Sequence, residues 1–488
     1  MTAIPLTSQS QSVAPGLVTA PTVTDAEIDA SCQAPILLLF ANAAVWLFIG
    51  SVLGLLATLK FHQPEILANC AWFTYGRVHP AQMNAFIYGF GVPTGLAVLL
   101  WIVCQTGRVR LALPQVVVAG ALLWNAGVTL GLIGILYGDS TGFEWLEMPR
   151  YGSIPMLAGY LIIGVMAMLT LHQRRERALQ ISQWFLLTAL LWFAWIYTTA
   201  NFLLVAFPAR GVVQPVIDSW YINNLTNIWF GFIGIATLFY LVPKLIDNPL
   251  YSRYLAVFLF WTLLFFGSWT AVGPGAPMPA WIPAVSTVGT VLLLIPTLAF
   301  AITLKKTMEC QTQKAKTSLP FQFLFFAPPA YLLSRLALVV TSLARVSVVT
   351  QFTWFTPAVT QLFLYGFFAM TMFGAIYYIA PRLLGTAFPS PKLVKFHFSL
   401  ALFGILLYSL PLAIGGVRQG YALNDASLSL QNTLDSWLMC LRVSTLGELL
   451  MVLANLLLLV NLGAIIYCRA SVEAKAAWVA NKIAGVRP

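Results

Sequence analysis

The chain has 488 residues, of which 59% are hydrophobic and only 8% charged, with a mean hydropathy of +0.84. A soluble protein of this length needs far more charge to cover its surface, so the composition excludes one and defines a polytopic protein of the lipid bilayer. The formal net charge of +11 gathers in loops on one side of the apolar segments, which excludes nucleic acid as its reason.

Residues 1–33 are rich in Ser, Thr and Pro, hold no Lys or Arg, and carry Asp25, Glu27 and Asp29. They lack the basic-then-apolar pattern of a signal peptide and are predicted to form a cytoplasmic N-terminal tail. Apolar stretches long enough to cross about 30 Å of hydrocarbon as helices follow. Twelve are predicted, centred near Leu47, Pro93, Trp124, Ile163, Trp195, Ile233, Leu263, Leu294, Ser334, Ala369, Leu406 and Ala454. The ninth is the most interrupted, because Pro328 and Pro329 lie in it together with Arg335. Runs of unbroken apolarity exclude a membrane barrel, whose strands alternate. The fold class is therefore an all-α integral membrane protein, one twelve-span helical bundle over 34–470 with a cytoplasmic tail at 471–488.

The loops after the even-numbered spans carry most of the basic residues, among them Arg108, Arg110, Arg174, Arg175, Lys305, Lys306, Arg382 and Lys395. The opposite loops hold Asp139, Glu144, Glu147, Asp218, Asp425 and Asp435. This alternation puts both termini in the cytoplasm. The six cysteines show no C-x-x-C or C-x-x-C-H spacing, so neither a zinc ribbon nor covalently held haem is implied.

Several collinear phrases carry more. They are "YGRVHPAQMNAFIYGFG" from Tyr75, "WYINNLTNIWFGFIGIATLFYLVPK" from Trp220, "YGFFAMTMFGAIYYIAPRLLG" from Tyr365, "FHFSLALFGILLYSLPLAIGGVRQG" from Phe396 and "LRVSTLGELLMVLANLLLLVNLG" from Leu441. In order and spacing they resemble the second, sixth, tenth, eleventh and twelfth helices of subunit I of the haem–copper oxygen reductases, in particular the cbb3-type branch. The resemblance implies a bundle like cytochrome oxidase subunit I, inserted in a bacterial inner membrane beside other respiratory membrane subunits.

That family needs six histidines: two for a low-spin haem, one for a high-spin haem and three for copper. This chain has four in all, His62, His79, His172 and His397. Laid on the family pattern, the haem-ligand positions fall on Gln82, Val359 and Gln361, and the copper-ligand positions on Asn223, Gly275 and Ala276. The redox tyrosine falls on Trp269. Gln82 and Gln361 are expected to face each other across the low-spin haem pocket and to hydrogen-bond there, directly or through water, or else each to satisfy a nearby backbone carbonyl. Trp269, Met278 and Phe363 are the larger neighbours expected to refill the interior.

His79 reads as a boundary residue with a secondary claim on haem, His62 as a solvated loop residue, and His397 as a structural hydrogen-bonder. Arg77, Arg418 and Arg442 lie on the outer side, where they would hold haem propionates or pair with carboxylates such as Asp425 and Asp435. Glu448 is the acidic residue within the last span, too far from Arg442 to pair along the helix. The expected function is a non-catalytic scaffold subunit of a respiratory or electron-transfer complex, with no cofactor. Two alternatives stand beside it: a b-type-haem oxidase or nitric-oxide-reductase-type subunit with non-standard ligation, and a transporter or channel reusing the scaffold.

Overall fold

A computed structural model describes residues 23–270, 272–274, 276, 278–309 and 318–483. Residues 1–22 of the expected N-terminal tail, Gly275 and the last residues of the C-terminal tail lie outside the described residues. The regular structure among the described residues is helical. In chain order the membrane helices are α1 (Asp25–Leu59), α2 (Tyr75–Gly107), α3 (Pro114–Tyr137), α4 (Arg150–His172), α5 (Ile181–Ala206), α6 (Val213–Ile246), α7 (Arg253–Gly267), α8 (Trp281–Met308), α9 (Leu319–Thr341), α10 (Phe355–Leu384), α11 (Pro391–Leu423) and α12 (Leu430–Val472).

Eleven of these are long and apolar enough to span a membrane, and α7 is the shorter one at 15 residues. The weak point therefore falls on the seventh helix and not the ninth. α9 runs unbroken through Pro328 and Pro329. At 1.5 Å per residue α7 is only about 22 Å long. Its exposed C-terminal carbonyls then need partners within the membrane. Asparagines of α6 supply them: Asn223 Nδ2 and Asn227 Nδ2 donate to the Gly267 carbonyl at 2.8 and 3.0 Å.

Three helices form the middle of the bundle. The apolar windows of α2, α6 and α10 are 100%, 94% and 94% buried, whereas those of the other long helices lie between 39% and 50%. Each inner helix contains a wide-turned π-helical stretch: Ala85–Gly91, Leu225–Phe230 and Leu362–Ala369. Each stretch begins within a few residues of Gln82, Asn223 or Gln361, and such turns re-aim side chains at sites. Glycines let the outer α11 and α12 touch. A Cβ on Gly447 would stand 2.4 Å from Tyr408 N and 2.8 Å from the Gly404 carbonyl.

α1 starts earlier than the composition implied, inside the stretch expected to be tail. Thr24 caps it in a reciprocal box with Glu27. The acidic residues that suggested a solvated tail are matched by distant groups. Arg108 pairs with Asp25 and Arg110 with Glu27 (2.7 Å). Asp29, 8% exposed, accepts from Trp101 Nε1 (2.9 Å) and Gln105 Nε2 (2.7 Å), with Arg382 Nη2 at 3.5 Å. The exposed pairs contribute about 0–1 kcal/mol each; the buried Asp29 bonds matter more. Replacing Asp29 with Ala strands two buried donors, and a loss of about 2–4 kcal/mol is expected. Asn should retain part of it. Thermal unfolding of the detergent-purified protein reads this, and an unchanged midpoint for Asp29→Ala would refute the clamp.

Candidate functional site

Two polar cavities flank α10. The first, of about 200 Å³, is lined by Gln82 and His79 of α2, Gln361 and Thr360 of α10, Glu448 of α12, Tyr408 of α11, and Glu144 and Glu147 of the loop between α3 and α4. Gly54 of α1 makes room for its deepest groups: a Cβ there would lie 2.6 Å from Glu448 Oε1 and 3.1 Å from Gln82 Cγ. Glu448 is 4% exposed, and its carboxyl faces the cavity beside both glutamines. Among the described residues no hydrogen bond joins Gln82 to Gln361, nor does either side chain donate to a carbonyl. Both amides line the same cavity, and a direct bond between them is not formed among the described residues.

The second cavity, of about 300 Å³, shares Glu144, Trp145, Thr356 and Thr360 with the first. Val359 faces it, as do Asn223, Asn227, Thr270, Arg335 and Phe363. Thr270 Oγ1 donates to Asn223 Oδ1, and Asn227 Nδ2 also reaches Asn223 Oδ1 at 2.8 Å and Thr270 Oγ1 at 2.9 Å. Arg335 Nη1 donates to Asn227 Oδ1. The guanidinium carbon sits 3.9 Å from the Phe363 ring centroid and 5.3 Å from that of Tyr331. Arg335 is 4% exposed, its Nε has no partner, and no ion pair reaches it among the described residues. Burying an ion costs several kcal/mol even after relaxation. A desolvated cation–π contact returns about 2 kcal/mol, so the charge is only partly answered.

The remaining expected residues sort as follows. Trp269 does not fill the interior: it is 58% exposed and faces an outer apolar groove with Phe265 and Trp281. Its neighbour Thr270 turns inward, because α7 ends there and the chain leaves helical register. Phe363 does pack inside; Met278 is half-buried and Ala276 lies in the turn after α7. His79 stacks on Tyr75 at the first cavity's mouth. His62 is docked rather than solvated, sharing a 2.8 Å bond with Thr445 Oγ1. His397 shares a 2.8 Å bond with Tyr377 Oη, which also accepts from Asn461. Arg77 donates to the Leu136 carbonyl (3.2 Å). Arg418 and Arg442 are exposed and form none of the expected pairs among the described residues; Asp425 accepts from Ser427, and Asp435 from Gln431. No three His, Cys, Asp or Glu side chains among the described residues gather as a metal-holding group.

The fold and its interior define an integral membrane protein built around two polar chambers. The chain matches the family described as Cytochrome C and Quinol oxidase polypeptide I over residues 34–450, and it belongs to that family. A Cytochrome c oxidase subunit 1 homolog of Agrobacterium tumefaciens (strain T37) is 26% identical over 399 residues, covering 77% of this chain and 71% of that protein. The Cbb3-type cytochrome c oxidase subunit CcoN1 of Stutzerimonas stutzeri is 24% identical over 397 residues, covering 78% and 83% respectively. A solved cryo-EM structure of a haem–copper terminal oxidase dimer superposes with a TM-score of 0.67 at 13% identity, covering 89% of this chain and 84% of that one. At that identity the likeness speaks for the fold, which is the expected subunit I bundle.

The loop between α3 and α4 also holds a titrating group. Asn84 Nδ2 donates to Glu147 Oε2 at 2.6 Å. Burial pushes the Glu147 carboxyl from its ordinary 4.5 up to about 7, against the pull of that bond. Burial raises the neighbouring Glu144 as well. An acid raised on folding leaves stability intact below the unfolded value. Stability then falls as pH rises from 4.5 to about 7, a loss of about 3 kcal/mol. Glu147→Gln should match wild type near pH 4.5 and exceed it in unfolding temperature above pH 7. Parallel curves across that window would show that Glu147 does not drive the dependence.

Proposed function

We propose that the chain is a divergent cbb3-type subunit I that serves as a non-catalytic scaffold subunit of a respiratory or electron-transfer membrane complex. The observation that carries this reading is the knot at Asn223. Its Nδ2 is engaged by the Gly267 carbonyl and its Oδ1 by Thr270 and Asn227, with the Arg335 cation bonded to Asn227. The resemblance assigns Asn223 to a copper imidazole. A copper centre needs several neutral nitrogen ligands and an open position. A carboxamide bonded at both ends beside a fixed positive charge supplies neither, so the residues present do not fit the metal.

The low-spin haem positions Gln82 and Gln361 share a cavity, yet carboxamides bind iron far more weakly than imidazoles. The imidazoles of His62 and His397 are tied to Thr445 and Tyr377. The reading therefore assigns no oxygen- or electron-transfer step to this chain and expects no haem or copper in it. It also puts the protein in a bacterial inner membrane with both termini cytoplasmic. Supporting that orientation, the start of α1 lies at the same end as Arg108, Arg110 and Arg382.

A reduced-minus-oxidised spectrum, a pyridine haemochrome assay and metal analysis on detergent-purified protein test the proposal. No stoichiometric b-type haem and no copper are expected, with other membrane subunits co-purifying on native gels. A stoichiometric haem would overturn it. A constructive experiment probes the assigned positions: Gln82→His with Gln361→His should recover a bis-imidazole haem spectrum that neither single change yields. If the folded double variant takes up no haem, the assignment of those two positions is wrong.

A further inference from the structure

We infer that the second cavity is a binding site for a small monovalent inorganic anion, held by Arg335. The inference goes beyond the scaffold reading and stands on geometry of its own. Arg335 is 4% exposed on a membrane helix, its Nε is unpartnered, and its Nη1 donates to a neutral oxygen, Asn227 Oδ1. A carboxyl in such a place can be neutralised by a proton, but a guanidinium stays charged in proteins. Buried charges in membrane interiors are paired or functional, and no carboxylate lies within ion-pair distance of this one among the described residues.

The cavity beside it is shaped for a compensating ion. At about 300 Å³ it has ample room for a halide or nitrate with bridging water, and the single guanidinium on its wall calls for one negative charge. Ser219, Thr356 and Thr360 line it, and their hydroxyls donate to no protein group among the described residues. The Asn223–Thr270 hydroxyl and amide groups are already satisfied by one another, which leaves Arg335 and these hydroxyls as the donors facing the space. Glu144 is the carboxyl on the same wall; it opposes an anion when ionised. The first cavity, which shares four wall residues, leads toward the outer loops and offers the route in.

The test uses the full-length chain in detergent, following unfolding temperature by tryptophan fluorescence. Sodium chloride or sodium nitrate is titrated against sodium gluconate at constant ionic strength. A saturable upward shift with chloride or nitrate, and none with gluconate, is expected. Asn227→Asp places a carboxylate in the existing contact with Arg335 at the cost of the Nδ2 bonds to Asn223 and the Gly267 carbonyl. The folded variant should lose the anion-dependent shift, and so should Arg335→Met, which removes the cation and leaves the Asn227 donors in place. Glu144→Gln should leave the shift in place and lower the concentration at which it saturates. Absence of a saturable shift in wild type overturns the inference. So does a shift that persists unchanged in Asn227→Asp, because the anion would then bind elsewhere. Copper and haem content are read separately on the same sample, so failure of the scaffold reading and failure of this one are told apart.

Discussion

Inside the hydrocarbon thickness a polar side chain has to be answered by another polar group, and here that demand falls on three helices with no lipid face. α2, α6 and α10 are almost wholly enclosed, so their polar groups must find partners within the bundle. Asn84 answers Glu147, and Asn223 and Asn227 answer the end of α7. Tyr88 answers Tyr221, and Tyr365 answers Asn455 on α12. Most of these bonds tie an inner helix to an outer helix or loop, so the polar interior also fixes how the outer ring sits.

The α6 amides show how such a bond decides local architecture. A helix that ends within the membrane leaves carbonyls with no solvent to receive them. The carboxamide nitrogen carries two donors, enough for one asparagine to reach both a neighbour and the Gly267 carbonyl. With Asn223 and Asn227 in place, α7 can stop after 15 residues and hand the chain to an irregular segment. Thr270 then points inward and Trp269 outward, a division that depends on where helical register is lost.

This explains what the sequence could and could not say. Apolar runs of spanning length are unambiguous, so the twelve helices were legible, and the collinear phrases placed Gln82 and Gln361 on one cavity. The start of α1 was not, because Asp25, Glu27 and Asp29 look like solvent residues until the distant Arg108, Arg110 and Arg382 are folded against them. Trp269 was misplaced because a one-residue change at a helix end reverses which side chain faces in. Arg335 registered only as an interruption of the ninth span. Its meaning depends on Asn227 and Phe363, more than a hundred and nearly thirty positions away in opposite directions, and no local pattern joins them.

The two chambers follow from α10 itself. Residues two apart on a helix lie about 200° apart around its axis, so Val359 and Gln361 look into different cavities with Thr360 between them. That division belongs to the backbone and does not depend on which side chains occupy the positions. What the side chains decide is the charge of each chamber: Glu448, Glu147 and two amides in one, Arg335 and hydroxyls in the other, with Glu144 on the wall they share. A carboxyl can shed its charge by taking a proton, and a guanidinium cannot. The first chamber can therefore reach neutrality alone, whereas in the second no carboxylate lies within ion-pair distance of Arg335 among the described residues, although Glu144 shares its wall. The backbone sets where the two cavities lie, and the side chains on their walls determine what each can hold.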